Sequence, residues 1–190
     1  MRPPLSRCHS DDLFMRISLP ITVLCCLSMT IAFGQSSKKF VGYLSAEYNK
    51  TLYDRTVGNN PWAVGLGLQT FFDNNRKVKA TLDLTADTYL EDDKVLRLND
   101  TIPVADVGGM VNLFAGISYQ PTKMMYISFV AGPSLISGET LFGLKPSLGF
   151  YFSQAQKCTF KLYFINVFNR DKPTKQDFGS LGCSFGVKLF

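Results

Sequence analysis

Between residues 77 and 90 apolar and polar side chains alternate one by one. Val78, Ala80, Leu82, Leu84, Ala86 and Leu90 fall in one phase, and Lys79, Thr81, Asp83, Thr85 and Asp87 in the other. A period of two is that of a β-strand, whose successive side chains point to opposite faces. On a helix the same leucines and carboxylates would be scattered around the circumference. The run is longer than the about five or six residues of a usual globular strand. It is long enough for the roughly nine to eleven residues that a tilted strand needs to cross a bilayer.

Seven more segments read the same way: residues 40–53, 62–72, 110–120, 124–136, 140–153, 157–169 and 178–190. In each, one phase is Leu, Val, Ile, Phe, Ala and Tyr. The other is Gly, Ser, Thr and Asn with a few charges, namely Glu47, Lys79, Asp83, Asp87, Lys145, Lys161 and Lys188. The connections at 73–76, 121–123 and 154–156 are tight and rich in Asn, Gln and Pro, as turns are. Those at 54–60, 91–109 and 170–177 are longer, and only 137–139 is short among the connections at that end. An even number of strands, with short turns at one end and longer loops at the other, predicts an all-β fold. The expected architecture is an eight-stranded antiparallel up-and-down transmembrane β-barrel, whose closure removes its edges.

Two features decide which face meets lipid. The polar phase is dominated by small residues and carries few charges for a solvated surface, which suits the narrow inside of a small barrel. Aromatics gather near strand ends: Tyr48, Tyr53, Trp62, Tyr89 and Phe168 towards the loops, and Phe40, Phe72, Tyr119, Phe150, Phe152 and Phe190 towards the turns. Paired aromatic girdles belong to membrane interfaces. The alternative is a secreted soluble barrel, with the apolar phase turned inward around an apolar ligand.

The front of the chain reads as an export signal. Residues 1–14 are polar, with Asp11 and Asp12. From Met15, Arg16 precedes an apolar run from 17 to 33, and Ala32 and Gly34 form a small-residue cleavage site before Gln35. The expected organisation is an N-terminal extension and cleaved signal peptide over 1–34, with the true start at Met15, and a barrel domain over 35–190. The formal charge of +5 is spread along the chain without a basic stripe, so no nucleic-acid partner is expected. Cys158 and Cys183 lie on separate strands out of register, which predicts buried free thiols rather than a disulfide.

Export signal, eight alternating segments and terminal Phe190 together resemble the small outer-membrane β-barrel proteins of the OmpX and OmpA-barrel type. The resemblance implies residence in the outer membrane, outer-membrane lipid as surroundings, and a monomer. It also implies recognition by the outer-membrane assembly machinery through the strand that ends at Phe190. The last strand departs from the family pattern, because Phe185, Val187 and Leu189 run out of phase with Phe190 and Lys188 stands two before the end.

Candidate chemistry is sparse. Asp83 and Asp87 are four apart on one strand, hence about 13 Å apart, too far to share a proton. The inward charges are therefore expected to form a structural network across the interior, since buried charges must be paired to be tolerated. The sole histidine is His9, ahead of the expected cleavage site. The barrel domain thus lacks the base of a Ser–His or Cys–His nucleophile and has no zinc spacing. No cofactor, metal or catalytic residue is assigned, and no enzyme activity is expected. The Gly-Leu-Gly at 65–67 lies within a strand and reads as close packing. The longest loop, 91–109, carries Asp92, Lys94, Arg97 and Asp100 and is a candidate binding loop; equally, residues 95–98 could extend the sheet. The expected function is structural, or a surface interaction exercised by the loops. A narrow porin-like conduit or small-molecule site, using the inward glycines, is the alternative.

Overall fold

The computed structural model describes residues 40–53, 61–72, 76–90, 108–136, 138–171 and 176–190. They form eight strands: β1 (Phe40–Tyr53), β2 (Trp62–Phe72), β3 (Val78–Leu90), β4 (Gly109–Thr122), β5 (Met125–Ile136), β6 (Glu139–Tyr151), β7 (Cys158–Asp171) and β8 (Gln176–Lys188). Each pairs antiparallel with the next and β8 pairs with β1, so the sheet closes into a barrel. In the register, Phe40 lies opposite Phe72 and Phe72 opposite Ala80. Register shifts fall near strand ends, at Thr51/Tyr53, Tyr119/Thr122 and Val167/Asp171, where a bulge can end the pairing without cutting the wall.

The period of two sorts the side chains. Along β3 exposed and buried residues alternate without a fault. Apolar residues stand outside: Leu66 is 62 % exposed, Ile117 60 % and Phe129 55 %. Their neighbours in the opposite phase, such as Glu47, Asp83, Lys145 and Ser128, are buried inside. A water-soluble protein does not leave so continuous an apolar surface uncovered, whereas a transmembrane barrel requires it. The soluble barrel with an inward apolar face is thereby corrected, because the leucines and phenylalanines that were to line its pocket form the outer wall.

The seam between β1 and β8 accounts for the odd phase of the last residue. The alternation stops at Lys188, the last residue of β8. Leu189 donates its backbone N–H to Gly42 (2.9 Å), and the Phe190 ring stacks on Phe40 with centroids 4.8 Å apart and planes 7° from parallel. Phe40 in turn touches Phe72 at 5.3 Å. Gly42 makes this seat possible, since a β-carbon there would lie 2.5 Å from the ring. Cys158 and Cys183 are free but only half-buried, because their phase is the outward one. Cys158 pairs with Val187, and Cys183 with Tyr48 and Leu162.

Candidate functional site in the barrel lumen

The inward phase fills the lumen in layers. Nearest the turns is a cluster of Val41, Tyr43, Phe71, Tyr126 and Tyr151. Ring centroids are 5.9 Å apart for Tyr43–Phe71, 5.2 Å for Phe71–Tyr126 and 5.1 Å for Tyr126–Tyr151. Buried tyrosines need partners for their hydroxyls. Tyr43 donates to the Gln156 carbonyl at 2.9 Å, and Tyr126 to Gln69 Oε1 at 3.1 Å. Beside them Ser118 Oγ lies 2.5 Å from both Thr81 Oγ1 and Ser128 Oγ, linking three neighbouring strands by hydroxyls.

The next layer holds the charges. Lys145 Nζ lies 2.9 Å from Asp83 Oδ1 and 3.4 Å from Glu47 Oε2. Lys161 Nζ lies 2.8 Å from Asp83 Oδ2 and 3.7 Å from Glu47 Oε1. Two ammonium groups from β6 and β7 thus each bridge two carboxylates from β1 and β3, spanning the lumen. Tyr163 donates to Glu47 Oε2 at 2.9 Å, and its ring centroid lies 4.2 Å from Lys145 Nζ. Each of these four charged side chains is almost wholly buried. The desolvation cost of such an arrangement is large, and it is offset only when every charge meets several partners, as here.

The other inward charges stand elsewhere. Lys79 is separated from Asp83 by four residues of strand and hydrogen-bonds to Gln120 at the turn end. Lys188 is exposed at the end of β8, opposite Tyr43. Asp87 lies one layer towards the loops, where Asn49 Nδ2 donates to its Oδ1 at 2.9 Å. The strand rise of about 3.3 Å per residue explains all three separations. The candidate loop residues Asp92, Lys94, Arg97 and Asp100 lie outside the described residues.

Beside Asp87 the filling is polar, and beyond it apolar. Asn112 donates to Thr85 Oγ1 (2.9 Å) and accepts from Ser134 (2.6 Å). Ala63, Tyr89, Met110, Ile136, Ile165, Val167 and Phe178 then form a second apolar cluster towards the loops. Lysines and carboxylates are legible in the sequence as inward. The tyrosine layer is not assigned a role there, although Tyr43, Tyr126, Tyr151 and Tyr163 all occupy the inward phase. That phase was the available signal.

Acidic groups outnumber basic ones at the centre. Glu47, Asp83 and Asp87 supply three carboxylates against the two ammonium groups of Lys145 and Lys161. Among the described residues no cation lies within ion-pair distance of Asp87, and neither its Oδ2 nor Asn49 Oδ1 receives a hydrogen bond. Asp87→Asn keeps the shape and removes the surplus carboxylate, so it is expected to stabilise the barrel by about 1–3 kcal/mol. The midpoint of urea unfolding in micelles measures this, and a lowered midpoint would contradict the charge count.

No family model matches the chain, and no curated protein does. Solved structures do. The attachment invasion locus protein Ail of Yersinia pestis superposes with a TM-score of 0.50 at 9 % identity, covering 80 % of this chain and 99 % of Ail. A de novo designed transmembrane β-barrel gives a TM-score of 0.47 at 10 % identity, covering 81 % of this chain and 98 % of the design. Neisserial surface protein A gives 0.47 at 14 % identity, covering 78 % and 96 %. At such identities the similarity to Ail is one of fold. The chain has the fold of a small eight-stranded outer-membrane barrel.

Proposed function

We propose that this chain is an integral outer-membrane protein whose closed barrel is a rigid scaffold for loop-mediated binding at the cell surface. One observation carries the reading: the lumen is occupied at successive levels by aromatic rings, a bridged charge cluster and a second apolar cluster. Eight strands leave room for side chains and little more. A filled interior supports a scaffold over a conduit, and on a rigid scaffold binding resides in the loops. The segment 91–109, with Asp92, Lys94, Arg97 and Asp100, is the first candidate. In this reading the protein is a monomer in outer-membrane lipid, inserted by the assembly machinery through the strand leading to Phe190, and it catalyses no reaction.

Boiled and unboiled gel mobility of the protein in carbonate-washed outer membranes tests the reading. Retention in the membrane, with a different mobility before boiling, is the expected result. Recovery in the soluble fraction would overturn it. Planar-bilayer recordings of the purified protein are expected to be silent, and discrete conductance steps would favour the conduit.

A further inference from the structure

We propose that the turn-end mouth of the barrel binds a water-soluble ligand bearing a phosphate group. A depression of about 510 Å³ opens there, lined by Arg76, Lys77, Lys123, Gln120, Gln154 and Gln156 among others. Its walls come from the turns β2–β3, β4–β5 and β6–β7. The first and last of these are four strands apart in a ring of eight, so they lie on opposite sides of the barrel. A depression touching both spans the mouth itself and is entered along the axis, from water.

The charge of these turns is one-sided. The turn sequences 73–77, 121–124 and 152–157 contain Arg76, Lys77, Lys123 and Lys157 but a single carboxylate, Asp73. Beneath them Lys79, only 3 % exposed, reaches up to Gln120. Charge of one sign in a concave site raises the local concentration of counter-ions. Three lining cations suit a dianion better than a single carboxylate. Arginine offers phosphate a planar fork of donors and the lysines add point charges. The glutamine amides supply neutral donors and acceptors, which suit hydroxyls on the remainder of the ligand. A phosphate monoester carrying hydroxyl groups is the chemical class that meets all three features.

The mouth is also held in shape. Gln156 adopts a left-handed backbone at φ 54°, a conformation of modest cost for a residue with a side chain. It is tied on two sides, its carbonyl accepting from Tyr43 and its Nε2 donating to the Lys123 carbonyl at 3.1 Å. The β6–β7 turn is thereby anchored to the tyrosine layer below and to the β4–β5 turn beside it. A cavity built in advance loses less on binding than one that must be ordered.

The test uses the full chain, isotope-labelled, in dodecyl maltoside micelles, which contain no phosphate. Chloride is replaced by inorganic phosphate, and then by glycerol phosphate, at constant ionic strength. The side-chain amide resonances of Gln120, Gln154 and Gln156 are followed. Saturable shifts are expected, with glycerol phosphate binding more tightly than inorganic phosphate. The double variant Arg76→Gln/Lys123→Gln is expected to weaken binding by about fivefold or more, while Lys188→Gln, outside the depression, changes it less than about twofold. Shifts that grow linearly without saturation would mean general screening and overturn the site. A response to phosphatidylglycerol in mixed micelles, without one to soluble phosphate, would assign the mouth to a lipid headgroup and overturn the soluble ligand. Placing this mouth in the periplasm rests on the outer-membrane reading, but the binding does not. A chain that washes off membranes yet binds phosphate overturns only the former.

Discussion

Lys145→Ala is expected to lower the unfolding free energy of the barrel by about 3–5 kcal/mol, the usual cost of removing one partner from a buried ion pair. Lys145 is fully buried and touches both carboxylates of the cluster. Without it Glu47, Asp83 and Asp87 face Lys161 alone, in a lumen where screening is weak. Lost contact with the Tyr163 ring adds to the effect. The mechanism is separable from simple loss of packing. Lys145→Met combined with Glu47→Gln retains the Asp83–Lys161 pair, refills the volume and removes one positive and one negative charge together. That double variant is expected to recover more than half of the loss. Urea unfolding in micelles, read by tryptophan fluorescence from Trp62, compares the two. Lys145→Met alone, which refills the volume but leaves Glu47 without its Lys145 partner, is expected to stay close to Lys145→Ala. Recovery by Lys145→Met alone as large as that of the double variant would mean that volume, not charge, holds this layer.

On the outer wall the second large effect is expected from Leu66→Arg, which should cost about 2–4 kcal/mol in a bilayer if the residue sits near its midplane. Leu66 lies in the middle of β2, between Ala46 and Ala86 on the flanking strands, and is among the most exposed apolar residues. The depth dependence is the informative part. Phe72→Arg, at the turn end of the same strand, belongs to the girdle and is expected to cost only about 0–1 kcal/mol, as charges do near an interface. Unfolding of the three proteins in lipid vesicles measures the difference. Equal effects at Leu66 and Phe72 would be inconsistent with a lipid-covered belt, since a wall facing water has no depth axis.

Both experiments probe features that differ in how far local sequence reveals them. The outer belt is written in every strand, because a period of two needs no knowledge of the partner strand to assign a residue to a face. Leu66 and Phe129 are outward on that ground alone. The inner cluster is another matter. Glu47, Asp83, Lys145 and Lys161 are each legible as inward, but so are Asp87, Lys79 and Lys188, and phase alone does not say which of the seven meet.

What the sequence by itself determined is therefore the set of strands, their faces and the alternation of turns and loops, all of them properties with a range of two residues or one connection. Only the closed tertiary structure decided height along the axis. Closure brings β1 and β3 across from β6 and β7, and side chains on opposite walls meet only where the accumulated register places them at one level. That puts Lys145 and Lys161 against Glu47 and Asp83, leaves Asp87 to Asn49, and sends Lys79 to Gln120 at the mouth. The seat of Phe190 is decided in the same way. Its phase along β8 argues against the outer wall, but the alternation ends at Lys188 and the ring folds over Gly42 onto Phe40, an outcome fixed by the neighbouring strand β1, which comes from the other end of the chain.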